Sequence, residues 1–562
     1  MSCTIISEMM SKVAFVWFAM FWCIFLQPVN VAIVGLFPIF LCPLLGITDS
    51  NTICAQYLDS YVILLIVGSW CLMLFNNSGI TSRGLYNLID PSDLSMSRLL
   101  FRCAFAAFIF SAVSHRLIVT SEIMALVTPV LINTQSAYAP DKSLKMPYYD
   151  YNMYRYILCS VIHTSATIGS LIFIHNNYTT MVALSMFNAV NRWNNGTEVF
   201  THYTYTAFAL PTSILMFTVN YIYYWILLQV SRHGSVMSDN TVLQITKGLT
   251  ERRRNLFPRR PLLTDETHPV TMHEVMSVFF FLLLHILLFT RASHNKFVGW
   301  ARSDQSTGHS YPMFEDASLF TVFAIFLHIM PKGFMFLRYV KAHKRRLLPP
   351  RKPESGVLYW KFVDSNTPYA FLFLMGAGEA LLHTVVHHDD VKESVINAFN
   401  WLTSDITLGL STFAMCQFGI LLCNMMTGTG AAVVYLPAIL LAQSGRRPLY
   451  ALAGGLSCAL GFISPFRHST TYFTKKIGKV PFRMLLFHNF LSTVINAVML
   501  WLMIISLGEY LFLPFGGGGG GGDGGGNGSD SFNGSDIVNG SDSVNDSGSD
   551  SLPPPTPPPP DS

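Results

Sequence analysis

Between Met425 and Arg483 an apolar stretch is interrupted again and again by small and polar residues. Thr427-Gly428-Thr429-Gly430 stands near its start, and Ser464 and His468-Ser469-Thr470-Thr471 near its end. Hydroxyls are hard oxygens of the kind a sodium-type cation accepts. The N–H groups bared where a helix begins suit an anion, and glycines let backbone come close to a solute. A helix facing lipid has no use for such breaks, because each backbone group freed in hydrocarbon costs roughly several kcal/mol. Broken helices at membrane depth persist where they line a solute or ion site. The stretch therefore points to transport.

The elements that must position these residues are membrane spans. The chain has 562 residues, 51% hydrophobic and only 12% charged, about half the charge of an ordinary globular protein. Its mean hydropathy is +0.40. Apolar runs recur along the whole length to residue 513, which predicts an all-α polytopic membrane protein. About eleven transmembrane helices plus two re-entrant hairpins, near 117–132 and 426–443, account for the runs. Both short segments end in a proline-containing run, Val127-Thr128-Pro129-Val130 and Tyr435-Leu436-Pro437-Ala438. Paired broken elements at matching places in two halves are the mark of inverted repeats. The expected organisation is a first span within 1–30, a first repeat over 31–230, a basic loop at 231–273, a second repeat over 274–513 and a tail at 514–562. Val13–Leu26 reads as a retained span, since no basic n-region or small-residue cleavage site accompanies it.

Lysine and arginine place the loops. Arg252, Arg253 and Arg254 dominate the loop at 231–260, and Lys344, Arg345 and Arg346 the one at 338–361. Two spans separate these loops, so both face the cytosol, and the C-terminus lies outside. The sequon at Asn195 and those at Asn527, Asn533, Asn539 and Asn545 fall on the outer side by the same reckoning. The tail is a glycine run, an NGSD repeat and a proline run, a composition that builds no core. The ten cysteines are scattered, with no CxxC, so neither a disulfide scaffold nor a metal centre is expected. No catalytic group, cofactor or nucleic-acid partner is expected either.

A co-linear set of blocks resembles the divalent anion:sodium symporters, the sodium/dicarboxylate and citrate cotransporters. Near the start stand Leu36-Phe37-Pro38-Ile39, Leu45 to Ser50 and Tyr57-Leu58-Asp59-Ser60. In the middle come His285 to Arg291 with Val298-Gly299-Trp300, then Asp316-Ala317-Ser318 running to Ile329-Met330-Pro331. Tyr359-Trp360-Lys361, Met375-Gly376-Ala377-Gly378, Pro448-Leu449-Tyr450, Ser464-Pro465 and Gly478-Lys479-Val480 complete the set. The resemblance implies an elevator-type homodimer in the plasma membrane, a small carboxylate anion such as succinate or citrate as cargo, and sodium ion as co-substrate. Its Ser-Asn-Thr signatures, counted back from each proline, fall on Val119-Thr120-Ser121 and Thr427-Gly428-Thr429, and both asparagines are missing. The partner motif of the first half is reduced to Gly169–Asn177, and that of the second becomes His468-Ser469-Thr470-Thr471.

Glu122 follows the first signature, and an acid inside a membrane segment is a functional candidate. It could replace a lost sodium ligand or carry a proton; a carboxyl paired at a bundle interface is the plainer alternative, and Glu379 has the same two readings. His383 and His387, four apart, share a helix face, with His388 next in the chain, but the further ligands of an iron box are lacking, so they read as a membrane-edge cluster. A transport-inactive relative that works as an interaction protein is the second reading of the chain.

Overall fold

The computed structural model describes residues 8–90, 94–137, 151–193, 198–231, 238–256, 270–292, 299–301, 312–333, 354–403, 406–441, 447–465 and 468–512. These lie in one compact unit, and the described residues form helices without a strand. The principal helices, in chain order, are α1 (Glu8–Leu26), α2 (Ser60–Leu72), α3 (Ile80–Leu88), α4 (Met96–Val113), α5 (Arg116–Ala137) and α6 (Tyr151–Gly169). They continue as α7 (Tyr178–Trp193), α8 (His202–Val230), α9 (Asp239–Leu256), α10 (Met272–Arg291), α11 (Asp316–Ile329) and α12 (Tyr369–Val386). The series ends with α13 (Asp389–Thr403), α14 (Leu408–Met425), α15 (Gly428–Ile439), α16 (Arg447–Cys458), α17 (Ser469–Lys476) and α18 (Phe482–Met503).

Among the described residues nine helical segments are long and apolar enough to cross a bilayer. The protein is an all-helical, multi-pass integral membrane protein. Outer helices turn large apolar side chains away from the bundle: Phe15, Phe18 and Trp22 on α1, Phe279, Leu282 and Ile286 on α10, Phe487, Phe490 and Leu491 on α18. In water such faces would be a liability; in lipid they are the ground state.

The inner helices are the reverse. In α6, sixteen of nineteen residues are buried, including Ser160, His163, Thr164, Ser165 and Thr167. Helices α15 and α16 are buried on almost every side. Polar side chains gathered inside an apolar ring are what a membrane protein retains for a solute path. Many hydroxyls are satisfied along their own helix: Thr164 Oγ1 donates to the Ser160 carbonyl at 3.0 Å and Thr167 Oγ1 to that of His163 at 2.9 Å. Others cross between helices, as where Tyr224 Oη donates to Asn489 Oδ1 at 2.7 Å and Ser492 Oγ to Asn220 Oδ1 at 2.5 Å. Gly169 marks a close approach of α6 to the backbone of α4, since a Cβ there would lie 2.1 Å from the Phe108 carbonyl oxygen.

The basic stretch at 231–273 contains α9, whose Arg252, Arg253 and Arg254 sit in its last two turns. The sequons at Asn195 and in the tail fall outside the described residues.

Candidate functional site

Two helix breaks face the inner helices. At the first, α4 ends on Ser114 in an extended conformation (φ −142°, ψ 168°), and α5 starts at Arg116. At the second, α14 ends on Met426, also extended (φ −134°, ψ −179°), and α15 starts at Gly428. The segment 117–132 therefore runs uninterrupted within α5, and the break precedes it. Pro129 stands about three and a half turns into its helix and Pro437 about two and a half turns into its own, so equal counts from the two prolines do not reach equivalent positions.

The second break is built from oxygen and glycine. Thr427 caps α15, its Oγ1 accepting from the Gly430 amide at 3.2 Å. Thr429 Oγ1 lies 3.3 Å from Thr179 Oγ1 at the start of α7. Gly428 is required by its surroundings: a Cβ would sit 2.5 Å from the Cys458 carbonyl oxygen and close to the His468 ring. His468 Nε2 faces the Cys423 carbonyl at 2.7 Å, and Asn424 Oδ1 accepts from the Ile463 amide at 3.1 Å. The loop before α17 is thus tied to the break. Ser464 accepts through its carbonyl from the His468 amide at 3.4 Å. Ser469 is exposed, whereas Thr470 and Thr471 are buried, with Thr471 Oγ1 lacking a hydrogen-bond partner. Arg467 lies outside the described residues.

The first break carries charge. His115 Nε2 is 3.0 Å from Tyr178 Oη. Arg116 reaches Ser170 Oγ at 3.5 Å, and Asn177 Nδ2 donates to the same oxygen at 3.3 Å. Asn177 Oδ1 accepts from the Thr179 amide at 3.1 Å and so caps α7. Asn176 Nδ2 donates to the Ala112 carbonyl, pinning the loop to the end of α4. No described carboxylate lies within ion-pair distance of Arg116. The guanidinium lies within electrostatic reach of His163, Tyr178 and His468, which links the two breaks. An arginine with no described carboxylate in ion-pair distance, at the start of α5 and within electrostatic reach of the start of α7 and of His468 before α17, has the chemistry that an anion would meet.

The sequence-derived candidates divide accordingly. Thr427, Gly428, Thr429, Gly430 and His468 meet at the second break, with Ser464, Thr470 and Thr471 on the adjoining loop and helix. Thr120 Oγ1 donates to the Arg116 carbonyl at 2.7 Å and Ser121 Oγ to that of Ile118 at 2.9 Å, so both hydroxyls are spent inside α5. Glu122 accepts from Ser82 Oγ at 3.0 and 3.1 Å on the α3 side. Glu379 accepts from Ser185 between α12 and α7. His383 and His387 stack at the end of α12, and His388 Nε2 contacts the Ile47 carbonyl at 3.1 Å. His115, Arg116, Tyr178 and Thr179 were not among the sequence candidates, and Asn177 entered only as the end of the reduced motif Gly169–Asn177. The other signal was an arginine between two apolar runs.

No family model matches the chain. It is similar to the protein "I'm not dead yet" of Drosophila melanogaster, 22% identical over 381 residues, which are 65% of this chain and 61% of that protein. The chain thus matches about three-fifths of that relative's length. Its fold is that of the YdaH transporter of Alcanivorax borkumensis, described as having an unusual topology (TM-score 0.50, 13% identity, 83% of this chain and 91% of that one). It is also that of Neisseria gonorrhoeae MtrF, of a class of antimetabolite efflux pumps (TM-score 0.50, 12% identity, 81% and 82%). The resemblance read from the sequence blocks and these likenesses converge on a membrane-transporter fold.

Proposed function

We propose that the protein is a secondary-active carrier of di- or tricarboxylates of the succinate and citrate class. Arg116 is the observation that carries the reading. A guanidinium fork matches a carboxylate with two parallel hydrogen bonds, and inside a membrane protein a cation with no carboxylate partner awaits one from outside. The capped start of α15 and the Asn177-capped start of α7 offer amides for a second carboxylate. Likeness to the Drosophila protein and the sequence blocks that resemble dicarboxylate carriers support the same cargo class.

The carrier acts in the plasma membrane as an elevator-type homodimer, with the arginine-rich loops in the cytosol and the NGSD tail outside. Sodium is not the driving ion in this proposal. At the second break the Cys423 carbonyl faces His468 and Asn424 Oδ1 accepts from the Ile463 amide, so two of the oxygens nearest the helix start already have partners. Proton coupling or anion exchange takes its place in the proposal.

Labelled succinate and citrate uptake into proteoliposomes tests the proposal. Saturable uptake that unlabelled dicarboxylate suppresses is expected. Absence of uptake of any carboxylate by well-folded protein would overturn it and favour an interaction protein built on a transporter fold.

A further inference from the structure

Three histidines far apart in sequence meet in the core. His175 lies in the short turn Ile174–Asn176 between α6 and α7, His202 opens α8, and His285 sits in the middle of α10. They are 2%, 1% and 6% exposed, and a ring nitrogen from each lies within 4.8 Å of the others. Their ring centroids are 5.4 to 5.9 Å apart. Each ring has one buried nitrogen with no hydrogen-bond partner: Nδ1 of His175, Nε2 of His202 and Nε2 of His285.

Packing alone does not account for this. A histidine held in a core normally uses its ring nitrogens, and three partnerless ones on touching rings are a concentrated loss. His285 shows how the cluster is set. Its Nδ1 faces the Phe281 carbonyl at 2.9 Å, and a proton donated there leaves Nε2 with its lone pair. Metal-binding histidines are oriented in this manner by a backbone carbonyl on the other nitrogen. Phe173, Phe281, Phe289 and Phe320 wall the rings, with centroids 4.0 to 5.1 Å from one or another of them. Three imidazolium ions at this spacing would repel one another, whereas three neutral rings sharing one cation would not. Close by, Arg291 is held by both Glu198 and Asp316 at 2.6 Å, so two carboxylates answer one guanidinium and the surroundings are not positive.

We propose that His175, His202 and His285 form a buried transition-metal site, with zinc as the ion that the ligand set fits. Imidazole suits zinc, copper, nickel and iron, and the absence of oxygen ligands argues against magnesium and calcium. Three histidines and one open position form a known zinc pattern, with Zn–N near 2.0–2.1 Å. Tetrahedral angles then set the nitrogens about 3.3 Å apart, so nitrogens within 4.8 Å of one another need to close by at most about 1.5 Å. The bound ion would clamp the turn that carries Asn176 and Asn177 to α8 and α10. This holds whatever the cargo is.

The full chain, purified in detergent without a polyhistidine tag, is to be loaded with zinc, dialysed and assayed for metal by mass spectrometry. One zinc per chain is expected. His202→Gln and His285→Gln should each weaken retention by at least about tenfold, since even outer-shell changes cost about 10- to 100-fold. The double variant His383→Gln/His387→Gln, at the end of α12, should retain the ion. Because a core variant can misfold, the unaltered protein is also melted with zinc and with chelator, and zinc should raise its Tm. Zinc content no greater than that of the His202→Gln/His285→Gln pair, loss of zinc in the α12 variant, or a Tm that zinc does not move would each overturn the site.

Discussion

The two helix breaks are alike in backbone and opposite in chemistry. Both interrupt a helix with extended backbone, at Ser114 in one and at Met426 and Thr427 in the other. The first then presents His115 and Arg116; the second presents Thr427, Gly428, Thr429 and Gly430. One break brings a fixed cation, the other only hydroxyls and amides. An anion site needs both contributions, charge to hold the ligand and close-fitting donors to select it. The asymmetry teaches that the halves divide this labour, and variants on each side should fail differently.

The largest effect is expected at the charged break. Arg116→Gln should lower kcat/KM for succinate or citrate uptake by at least about 30-fold, because losing one partner of a buried charge pair costs about 2–5 kcal/mol. The loss should fall mainly on KM, and Arg116→Lys should recover only part of it, since an ammonium lacks the fork. Unchanged uptake kinetics in Arg116→Gln would remove the basis of the comparison.

Next comes Gly428→Ala. The added Cβ would meet the Cys458 carbonyl at 2.5 Å, a backbone atom that cannot rotate away. Overpacking of this kind costs about 1–3 kcal/mol, so uptake should drop about 5- to 160-fold, together with a lower Tm. Thr427→Val should be milder. It removes the cap on Gly430 N, worth about 1 kcal/mol, and a roughly fivefold rise in KM is the expected reading. If Thr427→Val proved as severe as Arg116→Gln, the division between charge and fit would be wrong.

The two breaks also differed in how visible they were in the sequence. The second announces itself, because Gly428, Gly430 and Pro437 disturb an apolar run and lie where a helix would otherwise continue. The first has no glycine or proline at its break. Ser114-His115-Arg116 looks like an ordinary polar gap between two apolar segments, and Pro129 draws attention to the wrong turn of α5. The buried, polar character of α6 was equally hard to see, since its threonines bond back to their own helix and leave an ordinary helical pattern. The membrane class, by contrast, was plain from the charge content and the apolar runs, because lipid admits few other compositions. The histidine cluster shows the limit most sharply: His175, His202 and His285 share no sequence spacing, and only the packing of α8 and α10 against the turn after α6 unites them.

The smallest expected effect concerns the driving ion, and it tests the comparison from the other side. A sodium ion requires several oxygens with unused lone pairs and tolerates no nearby fixed cation. The first break fails on the second count, because it carries Arg116 itself. The second break is poor on the first: Cys423 O faces His468 Nε2, Asn424 Oδ1 accepts from Ile463 N and Thr427 Oγ1 from Gly430 N, which leaves the Thr429 and Thr471 hydroxyls as its freer oxygens. Replacing sodium by choline should therefore change the initial uptake rate by less than about twofold. A steep sodium dependence would mean that His468 swings away from Cys423 when cargo binds. His468→Ala would then raise sodium affinity, because the carbonyl that the imidazole occupies would be open to the ion. In a carrier whose fixed cation is Arg116, the same substitution should leave the response to sodium flat.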